Sequence, residues 1–342
     1  MTTATPTVGV GAQATEPTTR GARVRKRLNS RTATLVSIVI AMLWTIPTFG
    51  LFISSIRPEN EIKTTGWWTF FSKPQFTLEN YQEVLFSSGS SGQLASYFIN
   101  SLAITIPSVL FPLAFASLAA YALAWMNFKG RDWVYIGIFA LQIVPLQMAL
   151  VPLLRFFSTG VTVAGVQILP AWDLVDEQKF AQVWFAHTCF ALPFAVFLLH
   201  NFISQLPGDL MEAARVDGAT HPKIFRTIVL PLIMPALAAF GIFQFLWVWN
   251  DLLVALIFAG GGDETAPLTV RLAELAGTRG NEWQRLTAGA FVSIVVPLIV
   301  FLSLQRFFVR VTALNDGDTP RTVKVTTDSG VEFDAVVRID TP

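Results

Sequence analysis
Charge is what this sequence most lacks. Asp, Glu, Lys and Arg make up 14% of its 342 residues, whereas a soluble domain carries about 25%. Hydrophobic residues reach 53% and the mean hydropathy is +0.53, so lipid, not water, is expected to face most of the surface. With a single cysteine, Cys189, no intrachain disulfide can form, and that residue reads as a small apolar filler. His187 and His200 have no Glu or Cys at ligand spacing, so no metal site is expected. There is no G-x-x-x-x-G-K-[ST] and hence no phosphate-cradling loop, so ATP and Mg are not expected on this chain. No serine nucleophile elbow and no intramembrane acid–base set are present, which argues against an enzyme. Nothing points to nucleic acid. The first thirty residues are polar and basic and show no cleavable signal pattern.

Long apolar runs are what the sequence does have. Crossing hydrocarbon about 30 Å thick at 1.5 Å per residue takes roughly 20 apolar residues. Windows free of Asp, Glu, Lys and Arg run over Thr32–Ile56, Val84–Phe128 (apolar from about Tyr97 to Met126), Trp133–Leu154, Phe180–Gly208, Thr227–Asn250 and Leu286–Gln305. The fifth continues its apolar pattern past Asp251 to Ala259. Prolines 47, 107, 112, 145, 152, 193, 235 and 297 fall inside these windows and predict kinks. The expected fold class is all-α: a polytopic membrane protein with six transmembrane helices.

Six spans put both termini on one side. With the termini in the cytoplasm, sixteen of the 24 Lys and Arg lie inside and eight outside, as the positive-inside rule requires. Arg20, Arg23, Arg25, Lys26, Arg27 and Arg31 form the strongest cluster, suited to topology setting and anionic-lipid contact. The division expected is a disordered basic cytoplasmic tail over 1–31, a six-helix transmembrane domain over 32–310, and an unassigned cytoplasmic tail over 311–342. Trp67, Trp68 and Trp283 sit in outer segments as interface anchors.

The cytoplasmic stretch from Leu206 to Pro235 is the most informative. Pro207–Gly208 breaks the preceding span. Asp209 suits an N-cap, with Glu212 three residues on, as in a capping box. A short small-residue helix follows, and Asp217–Gly218 stops it, Gly218 suiting a left-handed conformation. A second short helix is expected from about Pro222 to Val229, ended by Leu230–Pro231. Helices this short need packing to be stable, which suits an element that fits a groove on a partner.

Glu212-Ala213-Ala214, Asp217-Gly218-Ala219, Phe225, Ile228, Leu230-Pro231 and Pro235 resemble the "EAA" loop of binding-protein-dependent ABC importer permeases. The resemblance implies a helix that docks in a cleft of an ATP-binding subunit, Glu212 to Ala219 acting as the ball of a ball-and-socket joint. Ala213 and Ala214 would allow close approach, and Gly218 would fix the bend. Glu212 would either cap the loop or pair with a basic residue of the ATPase. ATP and Mg would sit on that partner dimer. The likeness runs from about Val39 to Arg310. Phe76-Thr77-Leu78-Glu79-Asn80-Tyr81 resembles the "FTLxNY" of carbohydrate-uptake permeases. Asn100-Ser101 and Trp249-Asn250-Asp251 point the same way, and Phe185 to Phe202 with Ala259-Gly260-Gly261 resembles α-glucoside importers. The implied partners are an ATP-binding subunit dimer, a second permease subunit, an extracytoplasmic sugar-binding protein, a sugar such as maltose or an α-glucoside, and membrane lipid.

Sugars present both C–H faces and hydroxyls, so aromatic and amide side chains suit a pathway. Gln142, Gln147, Gln244, Trp247, Asn250 and Asp251 are the groups available in the third and fifth spans. Gln244, Trp247 and Asn250 step by three residues and so share a helix face, with Asp251 beside them. Packing and interfacial anchoring are the competing roles. After Arg310 the resemblance ends; Val323 and Val325, a Thr327–Gly330 turn, and alternating Val331, Phe333, Ala335, Val337 and Ile339 read as a hairpin. The alternatives are a permease for amino acids or peptides, and, from another class, a membrane channel or enzyme.

Overall fold
A computed structural model describes residues 31–86, 94–172, 180–262, 264–277, 281–315, 321–326 and 332–337. The expected disordered tail lies outside these residues except for Arg31, which opens the first helix. Helices dominate. In chain order they are α1 (Arg31–Ser55), α2 (Glu59–Thr64), α3 (Glu79–Phe86), α4 (Leu94–Trp125), α5 (Arg131–Leu141), α6 (Leu146–Thr159), α7 (Ala181–Ile203), α8 (Gly208–Val216), α9 (His221–Ile224), α10 (Leu230–Trp249), α11 (Leu253–Phe258), α12 (Leu268–Gly277) and α13 (Trp283–Asn315). A 3-10 turn, Trp67–Phe71, follows α2. Two antiparallel hairpins pair Val161–Val163 with Val166–Leu169 and Arg321–Thr326 with Glu332–Val337.

Among the described residues, five continuous helices are long and apolar enough to span: 33–55, 94–125, 181–203, 221–249 and 283–304. The third expected span differs. It is two helices, α5 and α6, bent by 102° at Gln142–Pro145. Pro145 stands at the N-cap of α6, where its missing N–H costs nothing, and its ring bars α5 from continuing. The pair still crosses. Tyr135 of α5 packs on His200 (4.3 Å) and Phe139 on Phe197 (5.0 Å), near the end of α7. Phe157 of α6 packs on Phe185 (5.8 Å), near its start. From His200 back to Phe185 is about 22 Å of helix, so the pair is a broken span and not a re-entrant loop. The other span prolines stay inside continuous helices, Pro107 and Pro112 both within α4.

Three further expectations are corrected. Leu230–Pro231 does not end the helix before the fifth span: residues 221–249 form one apolar rod, with π-helical bonding over Phe225–Val229. The Pro231 ring opposes the carbonyl of Thr227, four residues back, and the wider π turn makes room for it. The apolar pattern beyond Asp251 is not the same helix; the chain breaks at Asn250–Leu252 and α11 is separate. The last helix runs to Asn315, across the boundary expected at residue 310. The hairpin at Val161–Leu169 went unanticipated. Its alternating Val161, Val163, Val166 and Ile168 carry the signal, and its turn residues Ala164 and Gly165 both take positive φ (50° and 82°), as a two-residue hairpin turn requires.

The core forms where α4, α7 and α10 meet, with α13 against α10 and α1 against α13. Ala116, Ala120, Ala195 and Ala236 are buried there, and small side chains bring helix backbones close in lipid. By contrast, residues 34–49 of α1 are exposed all round, Trp44 at 80%.

The motifs that resemble sugar permeases are here structural ties. Asn80 Nδ2 donates to the carbonyls of Ser55 (2.9 Å) and Arg57 (2.7 Å), and Tyr81 Oη pairs with Ser55 Oγ at 2.6 Å. Together they clasp α3 to the end of α1. Asn100 Nδ2 donates to the Ala266 carbonyl (3.1 Å), and Ser101 Oγ accepts from the Leu268 N–H (2.7 Å). Those two bonds fix the start of α12.

Candidate functional site: a coupling loop and a membrane cavity
The loop after α7 is a short helix held rigidly on one side and bare on the other. α8 starts at Gly208 with Pro207 at its N-cap and no side-chain cap bond, so the expected capping box is absent. Asp209 is instead the second helical residue, where its charge still favours the positive end of the helix. At the other end Gly218 has φ of 76°. Its N–H donates to the Arg215 carbonyl (3.0 Å) and the Ala219 N–H to the Ala214 carbonyl (2.9 Å). That pair of bonds is a Schellman cap, and it points the chain back into α9.

The inward face of α8 is Met211 (1% exposed) and Ala214 (9%), set in a cluster with Ala120, Tyr121, Leu199 and Ile203. Polar bonds gather on the last turn of α4. Arg215 Nη2 donates to the Trp125 carbonyl (3.1 Å), Trp125 Nε1 donates to the Ile203 carbonyl (3.1 Å), and Tyr121 Oη lies 2.9 Å from His221 Nδ1. Phe225 packs its ring on Tyr121 at 5.4 Å. Ala219, Ile228 and Phe225 join the same cluster half-buried. Leu230 is half-buried and Pro231 exposed at the bend. The outward face is Leu210, Ala213, Val216 and Asp217 with Glu212 beside them, Val216 being 87% exposed. Of the two alanines expected to allow close approach, only Ala213 faces out. Glu212 makes no cap bond at the helix start. Exposed apolar side chains thus stand at i, i+3 and i+6, edged by carboxylates.

A cavity of about 630 Å³ opens at the break in the third span, between α5–α6, α7 and α10. Gln142, His187, Gln244 and Trp247 line it with Phe243 and Cys189. Gln244 is buried, and its Nε2 donates to the Ser108 carbonyl at 3.3 Å. Trp247 is half-exposed. Asn250 and Asp251 are not among the lining residues. Asn250 Nδ2 turns back to the Leu246 carbonyl (2.8 Å). Asp251 accepts from the N–H groups of Val254 (3.3 Å) and Ala255 (2.9 Å), anchoring the start of α11. Its backbone carbonyl also accepts from Thr269 Oγ1 (2.6 Å). The face shared by Gln244 and Trp247 therefore stops at the helix end. Gln147 does not line the cavity either, whereas His187, set aside as a metal ligand, does.

Among the described residues, five continuous spans and one broken span define a multi-pass membrane protein. The chain belongs to the family described as binding-protein-dependent transport system inner membrane component, whose model matches residues 112–313. It is 50% identical over 277 residues to the osmoprotective compounds uptake permease protein GgtD of Synechocystis sp. (80% of this chain, 87% of that protein). It is 47% identical over 268 residues to the alpha-glucoside transport system permease protein AglG of Rhizobium meliloti (78% and 67%). To the arabinooligosaccharides transport permease AraQ of Halalkalibacterium halodurans it is 32% identical over 272 residues (79% and 90%). The fold is shared with a chain of a bacterial ABC transporter that imports the acidic polysaccharide alginate, at a TM-score of 0.59 and 17% identity, covering 85% of this chain and 99% of that one.

Proposed function
We propose that this chain is the permease subunit of an ATP-driven importer of small saccharides, α-glucosides foremost. The observation that carries this reading is the bare outer face of α8 on a loop fixed from behind by Schellman cap, hydrogen bonds and buried Met211. Such a face transmits a push without deforming. ATP, bound with Mg, is hydrolysed on an ATP-binding subunit dimer that docks here, in the cytoplasm, and both termini lie on that side. Glu212, Ala213 and Asp217 meet the socket; Ala214, Ala219, Phe225, Leu230 and Pro231 pass the motion to α4 and α10. A second permease subunit and lipid share the exposed inner half of α1. A sugar-binding protein docks on the outer segments that carry α2, α3 and α12. Closure of the ATPase dimer then opens the pathway outward, and its release returns the helices inward.

The names of the relatives support the cargo, and one supports a second reading. The relative at 50% identity is named for osmoprotective compounds, so an osmoprotective compound is the second cargo reading. The test is reconstitution of this chain with its ATP-binding subunit, companion permease and binding protein in proteoliposomes. Maltose- or trehalose-loaded binding protein should stimulate ATP hydrolysis and drive uptake, and Glu212→Ala should lower both. Uptake by this chain alone, independent of ATP, would overturn the proposal.

A further inference from the structure
Where α7 passes the end of α10, a donor and an acceptor face each other without meeting. His187 stands in the second turn of α7. It is 2% exposed, and among the described residues its Nε2 has no hydrogen-bond partner. The Asp251 carboxylate faces it, Oδ2 lying 3.7 Å away. A hydrogen bond needs about 2.9 Å, so the gap is too wide by about 0.8 Å. An orphaned buried donor is costly, and here a small helix shift supplies the missing bond. With the proton on Nε2, the tautomer that a neighbouring carboxylate favours, His187 donates to an oxygen that has lone-pair capacity beyond its bond from Ala255.

Both residues sit at junctions. Asp251 lies in the break between α10 and α11. Its two oxygens hold the N–H groups of Val254 and Ala255, and its carbonyl holds Thr269 of α12. One residue thus marks the end of α10, the start of α11 and the position of α12. His187 belongs to a helix that runs unbroken to Ile203, where it meets Met211 of α8 in one buried cluster. About 24 Å of helix separates His187 from that cluster. α11 packs on α7 as well.

Resting on the importer reading above, we propose that His187 is a positioning residue for coupling. In the half of the cycle that draws α7 toward the break after α10, its Nε2–H closes on the Asp251 carboxylate and locks α11 to the helix that the α8 loop drives. The contact is open in this structure, so the bond favours the other state and adds nothing to this one.

Two variants isolate the donor. His187→Phe keeps a ring and loses the N–H, whereas His187→Gln returns an amide N–H near the place of Nε2. A hydrogen bond to a charged group shifts an equilibrium roughly 10-fold or more. In proteoliposomes holding the assembled transporter, His187→Phe should lower the sugar accumulated per ATP hydrolysed by about 10-fold, and His187→Gln should recover most of it. In an Asp251→Ala background, His187→Phe should add no further loss. The melting midpoint of the resting transporter should not fall with His187→Phe, since that change removes an orphaned donor.

Four results overturn the proposal while leaving the importer intact. They are a wild-type ratio for His187→Phe, a His187→Gln variant as poor as the phenylalanine one, additive losses in the double variant, and a lowered resting midpoint that glutamine restores. A second measurement leaves His187 and Asp251 in place, and it decides the matter if His187→Phe does not assemble. In a Cys189→Ser background, which removes this chain's one cysteine, spin labels go on Phe202→Cys and Leu256→Cys, at exposed positions of α7 and α11. Pulsed electron paramagnetic resonance should show their separation held or shortened on going from nucleotide-free to vanadate-trapped transporter, and a lengthening would overturn the lock. That arm needs only ATP and vanadate. Wild-type vesicles in which no saccharide drives hydrolysis or uptake would overturn the importer reading, and the α7–α11 separation would still decide the lock.

Discussion
Replacing Gly218 tests whether the coupling loop works as a preset bend. At φ of 76° the residue sits where an L side chain crowds its own carbonyl, and a Cβ added there meets no other atom within 4 Å. The penalty of Gly218→Ala is therefore purely one of backbone, about 1–2 kcal/mol. That changes the ratio of capped to uncapped loop by a factor of roughly 5–30. Uncapping frees the Ala219 N–H and the Ala214 carbonyl and swings α8 relative to α9. Asparagine tolerates this conformation better than alanine does. The expected order of coupled transport is Gly, then Asn, then Ala, then Val. The assay is sugar accumulated per ATP hydrolysed in proteoliposomes, with co-purification of the ATP-binding subunit confirming assembly. An order set by size, with Ala close to wild type and Asn and Val both poor, would refute the backbone argument and place Gly218 in direct contact with the partner.

Two further outcomes follow from the bonds described. Tyr121→Phe removes only the hydroxyl that meets His221 Nδ1, a loss of about 1 kcal/mol. It should leave the complex assembled while raising ATP hydrolysis per sugar moved, and an unchanged ratio would exclude this contact from transmission. Asp251→Ala removes the acceptor that anchors α11, costing about 0.5–2 kcal/mol. A thermal-shift measurement in detergent should show a lower midpoint, with Asp251→Asn nearer wild type; an unshifted midpoint for the alanine variant would refute the anchoring role.

The spans and the loop were legible in the sequence because each rests on a local property. Twenty uncharged apolar residues need a membrane wherever they fold, and Asp217-Gly218 stops a helix through its own backbone. The bend at Pro145 was not legible. In sequence it is one proline among eight in apolar windows, and only the packing of α5 and α6 on opposite ends of α7 separates it from Pro107 or Pro112, which their helix absorbs. The same holds for the cavity. Gln244 and Trp247 were visible from their spacing, but His187 reaches the site across helices, and no spacing along the chain encodes that. Asn250 and Asp251 misled because helical periodicity was extended past the residue where the helix ends. Leu230–Pro231 misled the other way: a proline that ordinarily stops a helix is accommodated by the π turn before it.

The break in the third span also changes what kind of lever this protein contains. A straight rod pivoting in a bilayer must swing both ends at once, so whatever opens one face disturbs the other by the same stroke. Jointed at Gln142–Pro145, this span has one arm that rides with Tyr135 on the loop end of α7 and another that rides with Phe157 on its far end and on α11. The two arms are free to take up different strokes. A two-gate machine can then shut one door before it releases the other.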